Sequence, residues 1–260
     1  MKKIATLMCV LMLMLASFTA GVEYQRGDVD QNGSVNIADV ATLIDYLLTG
    51  TWNDAPVTPP DEHEWVDLGL PSGTLWATCN VGATSPEEYG DYFAWGETEP
   101  KEVYDWTTYK WCNGYENTLT KYVTNSSFGI VDNKTELDDE DDAAFINWGS
   151  SWHMPTKEQQ DELRENCIWQ WTQRNGVNGY HVIGPNGNSL FLSAAGSRYS
   201  NSLNDSGTDG YYWSCSLYYT GYSGGCSSAY KLNFGQLYVT WGDTYRVEGH
   251  TIRPVRVSQN

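Results

Sequence analysis

Positive charge is scarce in this chain. Fifteen Lys and Arg stand against 33 Asp and Glu in 260 residues, a net charge of −18. So acidic a surface repels phosphate, which argues against nucleic acid or an anionic membrane face as a partner. Histidine is scarce too. Its four residues are scattered, and no two cysteines are spaced as C-x-x-C, so no zinc site is expected. Long apolar runs are missing except for Ile4–Leu15, which is shorter than the ~20 residues needed to cross a bilayer. No membrane span is therefore expected. What the chain has in quantity is aromatic surface, with 12 Trp and 18 Tyr. Length and composition suffice for one sizeable core and a small appendage.

The single apolar run follows Lys2 and Lys3 and precedes the small residues Ala16, Ser17, Thr19, Ala20 and Gly21. Residues 1–21 read as a signal peptide, cut near Ala20 or Gly21, with Phe18 departing from the small-residue pattern. Cys9 lies inside the run without the small residues of a lipoprotein site before it, so no lipid anchor is expected. The mature chain is expected outside the cytoplasm, secreted or at a bacterial cell surface. Five cysteines remain in it: Cys79, Cys112, Cys167, Cys215 and Cys226. Export permits disulfides. An odd count leaves at least one thiol without a partner in the chain, and Cys215 and Cys226 are the nearest pair.

The most patterned stretch is Gly27-Asp28-Val29-Asp30-Gln31-Asn32-Gly33-Ser34-Val35-Asn36-Ile37-Ala38-Asp39. Oxygen-bearing side chains stand at loop positions 1, 3, 5, 9 and 12: Asp28, Asp30, Asn32, Asn36 and Asp39. Calcium is a hard cation that collects about six to eight oxygens, and this alternation wraps a loop around one. Gly33 falls at position 6, where the loop turns sharply. Ser34, at position 7, is placed to offer its backbone carbonyl. Ile37, Val40, Leu43, Ile44, Leu47 and Leu48 then form a helical apolar stripe, which Asn36 can cap and Gly50 can end. Something must cover that stripe: the rest of the chain, a second copy or a partner.

Residues 51–62, TWNDAPVTPPDE, contain three Pro and read as an extended linker. Trp52-Asn53-Asp54 matches a calcium-and-sugar motif of C-type lectins. It lies in the linker and lacks the Glu-Pro-Asn that should precede it, so it is set aside. The main domain, 63–260, begins with aromatic and β-branched residues punctuated by Gly and Pro, the pattern of short strands and tight loops. Residues 101–137 have weak periodicity and read as irregular loops.

Asp138-Asp139-Glu140-Asp141-Asp142 could be taken for a metal cluster. Adjacent acids lack the alternate spacing of a wrapped loop, and acids favour a helix's first turn, so the run reads as the start of a helix through Ala143–Ile146. Thr156 and Gln159 form a capping box for a second helix. His181–Ile183 and Leu190–Leu192 flank Pro185-Asn186-Gly187-Asn188 and read as a hairpin. Tyr230, Leu232 and Phe234 alternate with Lys231 and Asn233, the pattern of a half-buried strand. Ile252–Val257 reads as a last strand that Pro254 confines to an edge or bulge. Gly221–Gly225 resembles a serine-protease nucleophile loop but lacks the Asp before Ser223 and any His in matching context.

Two resemblances follow from these residues. The 24–50 stretch resembles one repeat of a type I dockerin, in which Asp replaces Glu as the last ligand and one helix follows. That resemblance implies a calcium site at Asp28, Asp30, Asn32, Ser34, Asn36 and Asp39, and a cohesin-like or other protein partner docked through the 37–48 helix. Dockerins usually carry two repeats, and one is found here. The blocks Trp65–Ala77, Trp152–Thr156, Ala195–Arg198, Gly210–Ser214 and Ile252–Val255 are similar to the Fibrobacter succinogenes major paralogous domain of exported bacterial proteins, over about 64–257. His153 stands where that family often has Arg. This second resemblance implies a C-type-lectin-like α+β fold with short strands and two helices, and brings no catalytic residues with it.

The expected organisation is a signal peptide (1–21), a calcium loop-helix (22–50), a linker (51–62) and a lectin-like domain (63–260). The aromatic-rich segment Tyr211–Tyr245 points to binding, because aromatic faces stack on sugars or anchor protein partners. The expected function is a non-catalytic module for a glycan or a protein. The alternatives are a carbohydrate-active enzyme or accessory subunit in polysaccharide degradation, and a structural or adhesin-assembly protein. Calcium is expected to order residues 28–48. Asp28→Ala with Asp39→Ala should abolish both the calcium-dependent gain in helicity by circular dichroism and the heat of calcium binding, and a wild-type protein that shows neither signal would refute the assignment.

Overall fold

The computed structural model describes residues 43–44, 63–219 and 225–257. The chain divides into two units, Met1–Glu62 and His63–Asn260. In the first, residues 43 and 44 are helical. The calcium-loop positions, the remainder of the 37–48 helix, the signal peptide and the linker lie outside the described residues. All that follows concerns the second unit.

Short antiparallel strands dominate it, and two α-helices accompany them, an α+β arrangement. The strands are β1 (Trp65–Asp67), β2 (Thr74–Ala77), β3 (Ile168–Arg174), β4 (Val177–Ile183), β5 (Ser189–Ser193), β6 (Ser197–Tyr199), β7 (Ser202–Asn204), β8 (Asp209–Leu217), β9 (Ser228–Gly235), β10 (Tyr238–Tyr245) and β11 (Val255–Val257). The helices are α1 (Ala143–Trp148) and α2 (Lys157–Asn166), and a 3-10 turn at Asp139–Asp141 leads into α1. Three three-stranded sheets form, ordered β1-β2-β11, β3-β4-β5 and β10-β9-β8, beside a β6-β7 ribbon.

Both helix starts follow from their caps. Asp142 Oδ1 accepts the backbone N–H of Ala144 and Phe145, and its Oδ2 accepts that of Met154. Thr156 and Gln159 complete the capping box of α2. The hairpin of β4 and β5 pairs Ile183 with Ser189 and Tyr180 with Leu192. A strand that the alternation above did not anticipate, β3, extends it to a meander by pairing with β4 from Ile168↔Ile183 to Arg174↔Val177. The signal for it is the Asn175-Gly176 turn. Both residues have positive φ, 48° and 83°, as a two-residue I′ hairpin requires. The last strand begins only after Pro254 and takes the edge of its sheet, where a proline costs no ladder bond.

The β8–β10 sheet is covered on both faces. Neighbouring residues of a strand point to opposite sides, and here Tyr212 enters one core while Trp213 enters the other. Tyr212 packs with Leu68, Trp76, Tyr180, Leu192 and Phe234. Trp213 packs with Phe93, Trp95, Tyr109, Tyr122 and Ile252. The irregular stretch between β2 and the 3-10 turn is held largely by polar handles on buried rings. Trp95 Nε1 donates to the Ser214 carbonyl (2.8 Å), Trp213 Nε1 to that of Phe93 (2.9 Å), Tyr92 Oη to that of Ala195 (2.6 Å) and Tyr109 Oη to that of Trp95 (2.7 Å). Buried backbone carbonyls outside regular ladders need such donors. Gly129 is required in the same region, because a Cβ there would stand 1.9 Å from the Leu119 oxygen.

Arg253 ties the ends of the unit together. It is 1% exposed, and among the described residues its acceptors are all neutral. Nε donates to Asn80 Oδ1 (2.8 Å), Nη1 to the carbonyls of Ala77 and Thr78 (3.1 and 2.8 Å), and Nη2 to that of Phe191 (3.0 Å). Arg253→Met keeps the bulk and orphans four acceptors. The expected loss is about 3 kcal/mol or more, read from urea unfolding midpoints. A loss below about 1 kcal/mol would show that the fork is dispensable.

Candidate functional site: an aromatic face on the sheet edge

Among the described residues strand β10 pairs with β9 alone and so forms an edge. Trp241 on β10 is 43% exposed. Its ring meets Tyr230 of β9 edge-on at 5.6 Å, and Tyr230 meets Tyr218, just past β8, at 5.1 Å. Lys157, the first residue of α2, sits over both rings, with Nζ 5.6 Å from the Tyr230 centroid and 5.5 Å from that of Trp241. Its ammonium is held by Asp161 one turn on, and this bond raises its pKa. Asp161 is also bound by Arg164. The face thus combines an exposed indole, two half-buried phenols and an ion pair at its rim. Flat rings bordered by polar groups suit a ligand that has both apolar and hydroxylated faces. Tyr245, at the end of β10, is exposed and meets Trp106 edge-on at 5.8 Å.

Within the aromatic-rich segment the structure separates core from surface. Tyr212 and Trp213 are buried, whereas Tyr219, Tyr238, Trp241 and Tyr245 are exposed. Lys157 carried no sequence signal beyond its place after the Thr156 cap. The calcium positions Asp28, Asp30, Asn32, Ser34, Asn36 and Asp39 lie outside the described residues, as does most of the Gly221–Gly225 motif.

The acidic run behaves as a helix start clamped by lysines. Asp138, Glu140 and Asp141 do converge. Lys121 Nζ fills their centre, 2.6 Å from Asp138 and from Asp141 and 3.3 Å from Glu140. Lys110 and the Tyr122 hydroxyl complete the bonds to Asp141 at 3.3 and 2.6 Å. Desolvation alone would lower the Lys121 pKa, but the bonds to Asp138 and Asp141 outweigh it and the pKa is raised. The lysine supplies the positive charge that a metal ion would otherwise bring.

The opposite face of the β8–β10 sheet holds a buried polar group that sequence patterning missed. Lys231, expected on the wet side of a half-buried strand, is only 9% exposed, because that side is also covered. Beside it His250 is fully buried, and among the described residues neither ring nitrogen has a hydrogen-bond partner. Trp213 packs edge-on against the imidazole at 4.4 Å, Tyr211 is tilted at 5.5 Å, and Glu248 is 3.6 Å from Nε2. Burial, reinforced by the Lys231 charge, pushes the His250 pKa well below its usual value.

Compared with known families, curated proteins and solved structures, the chain matches none.

The buried imidazole has a consequence for stability. In the folded state His250 stays neutral, while the unfolded chain takes up a proton near pH 6.5. The unfolded state therefore binds more protons below that point, and stability falls with pH by up to about 1.4 kcal/mol per unit. Between pH 7 and pH 5 the wild type should lose about 2 kcal/mol more than His250→Leu. Urea midpoints at the two pH values measure the difference, and equal losses would show that the histidine takes up its proton in the fold.

Proposed function

We propose that this is an exported, two-part binding protein. In this reading the 63–260 domain is a non-catalytic, C-type-lectin-like module that takes a glycan on the Trp241–Tyr230–Tyr218 face. The 22–50 segment is a single dockerin-like unit that binds calcium through Asp28, Asp30, Asn32, Ser34, Asn36 and Asp39. It docks a cohesin-like partner through the 37–48 helix, and residues 51–62 tether the two parts.

One observation carries the glycan reading: a large aromatic ring exposed at a sheet edge, continued by two further rings and bordered by the Lys157–Asp161 pair. The ring faces provide apolar contact, and the ion pair offers donors and acceptors for hydroxyls. The bonds that Lys157 and Arg164 make to Asp161 hold it as an orienting acceptor and not as a free acid for bond cleavage. The dockerin resemblance and the signal-peptide pattern support export and docking.

A glycan array with the mature protein, in calcium and in chelator, tests this reading. Binding without bond cleavage is expected, and Trp241→Ala should weaken it at least about tenfold, or about 1.4 kcal/mol, without changing the circular dichroism. Undiminished binding by the variant would place the site elsewhere. Cleavage of a bound glycan would move the protein to the enzymes.

A further inference from the structure

We propose that Asn113-Gly114 is a self-modifying site, at which the folded protein deamidates ahead of its other described Asn-Gly pairs. The product is an aspartyl or isoaspartyl residue at 113, and water is the only co-reactant. The site lies in the irregular stretch after β2 and does not depend on the glycan reading.

Deamidation at an Asn-Gly pair needs two free groups. The glycine backbone nitrogen attacks the side-chain carbon of the asparagine, so the side chain must be able to turn onto it. Glycine favours the attack, because no Cβ shields its nitrogen and its backbone is the least restricted. The described residues contain such pairs at Asn113, Asn175, Asn178 and Asn186, and the fold holds the last three. Asn178 Oδ1 accepts from Gln173 Nε2 (2.8 Å), its Nδ2 donates to the Gly207 carbonyl (2.7 Å), and Gly179 lies in the middle strand of the meander. Asn186 Nδ2 donates to the Asp67 carbonyl (2.9 Å), and its Oδ1 accepts the Asn188 backbone N–H (2.9 Å). The attacking nitrogen there is also engaged, since the Gly187 N–H donates to the Gly184 carbonyl (3.0 Å). The Asn175 amide is held by Glu87, which Arg174 binds in turn.

Asn113 differs from all three. It is exposed, and among the described residues neither its side-chain amide nor the Gly114 N–H has a hydrogen-bond partner. Its own backbone N–H donates to the Thr118 carbonyl (3.3 Å) and hydroxyl (3.0 Å). The loop is thus tied at its ends while the two reacting groups stay loose. Gly114 has a φ of 87°, and a Cβ added there would meet no atom within 4 Å. That leaves space for the five-membered ring of the intermediate.

The step balances with water alone. The Gly114 nitrogen gives its proton to solvent and attacks Asn113 Cγ, and the carbon–oxygen π pair moves to Oδ1. The pair returns, the Cγ–Nδ2 bond breaks, and Nδ2 takes a proton and leaves as ammonia. Water then opens the cyclic imide at either carbonyl, which gives the aspartyl or the isoaspartyl form. Either product adds a negative charge to a chain already at −18. The isoaspartyl form also lengthens the backbone by one carbon inside the loop that the Cys112↔Leu119 bridge closes.

The test incubates the mature protein in mildly alkaline buffer, native and unfolded in urea, and follows each site by peptide mapping with tandem mass spectrometry. In the native protein Asn113 should convert at least about tenfold faster than Asn175, Asn178 and Asn186, because only its reacting groups are free to meet. In urea the hydrogen bonds that restrain the other three are gone, and the lead should fall below about threefold. A native Asn113 rate no greater than that of the other three overturns the proposal. So does a lead that urea leaves unchanged, since it would then come from neighbouring residues and not from the fold.

Discussion

The unit from His63 depends on burying both faces of one sheet. Tyr212 and Trp213, adjacent on β8, each enter a different aromatic core. Most of the molecule then follows as a covering problem. One face is closed by α2, the β3–β5 meander and the β1-β2-β11 sheet. The other is closed by the long irregular stretch after β2. A stretch with few ladder bonds can lie against a core only if its carbonyls find donors. Buried Trp and Tyr supply these, because each joins a large apolar body to one polar tip. Arg253 and Arg246 serve the same end with forked donors, the latter to the carbonyls of Lys121 and Tyr122. The high Trp and Tyr content is therefore mainly structural, and only its remainder reaches the surface.

That remainder gathers where the covering stops. Strand β10 is an edge, so its outer residues meet less protein, and Trp241 and Tyr245 stay exposed for this reason. Edge strands invite unwanted pairing unless they are short, bulged or charged. Lys157 of α2 leans over Trp241 of β10, which brings a charge to an otherwise aromatic rim. One strand pair thus separates an exposed aromatic face around Trp241 and Tyr230 from two buried polar groups, Lys231 and His250.

What could be read beforehand was local. The Thr156–Gln159 cap, the acidic helix start, the β4–β5 hairpin and the edge placement of the last strand each rest on neighbouring residues, and each appears in the structure. Strand β3 was equally legible through Asn175-Gly176, but its exposed Ile168 and alternating polar residues make a weak apolar signal. The Asn80–Arg253 bond spans 173 residues, and nothing near either residue announces it. The same holds for Lys231. Alternation alone placed it in water, and only the second core shows that its face is covered. For the aromatic segment, composition marked the region. The edge position decided which rings are free, and that is a property of sheet order. The calcium loop is the most patterned stretch of the chain and stands outside the described residues, so its chemistry rests on spacing and resemblance.

The cysteines connect the fold to the proposed export. An exported chain with five thiols meets an oxidising environment, yet Cys79, Cys112, Cys167, Cys215 and Cys226 are all unpaired. Reactivity follows the thiolate, and burial suppresses it. Cys215 and Cys226 are buried, and burial raises the Cys215 pKa. Burial likewise pushes Cys167 up to about 11. Cys226 Sγ is further engaged by Thr124, whose backbone N–H donates to it at 3.0 Å. Small secreted domains need disulfides because their cores are too small. Here two aromatic cores and polar ties cross the irregular stretch with all five described cysteines free, and the buried Cys215 packs as a small apolar residue.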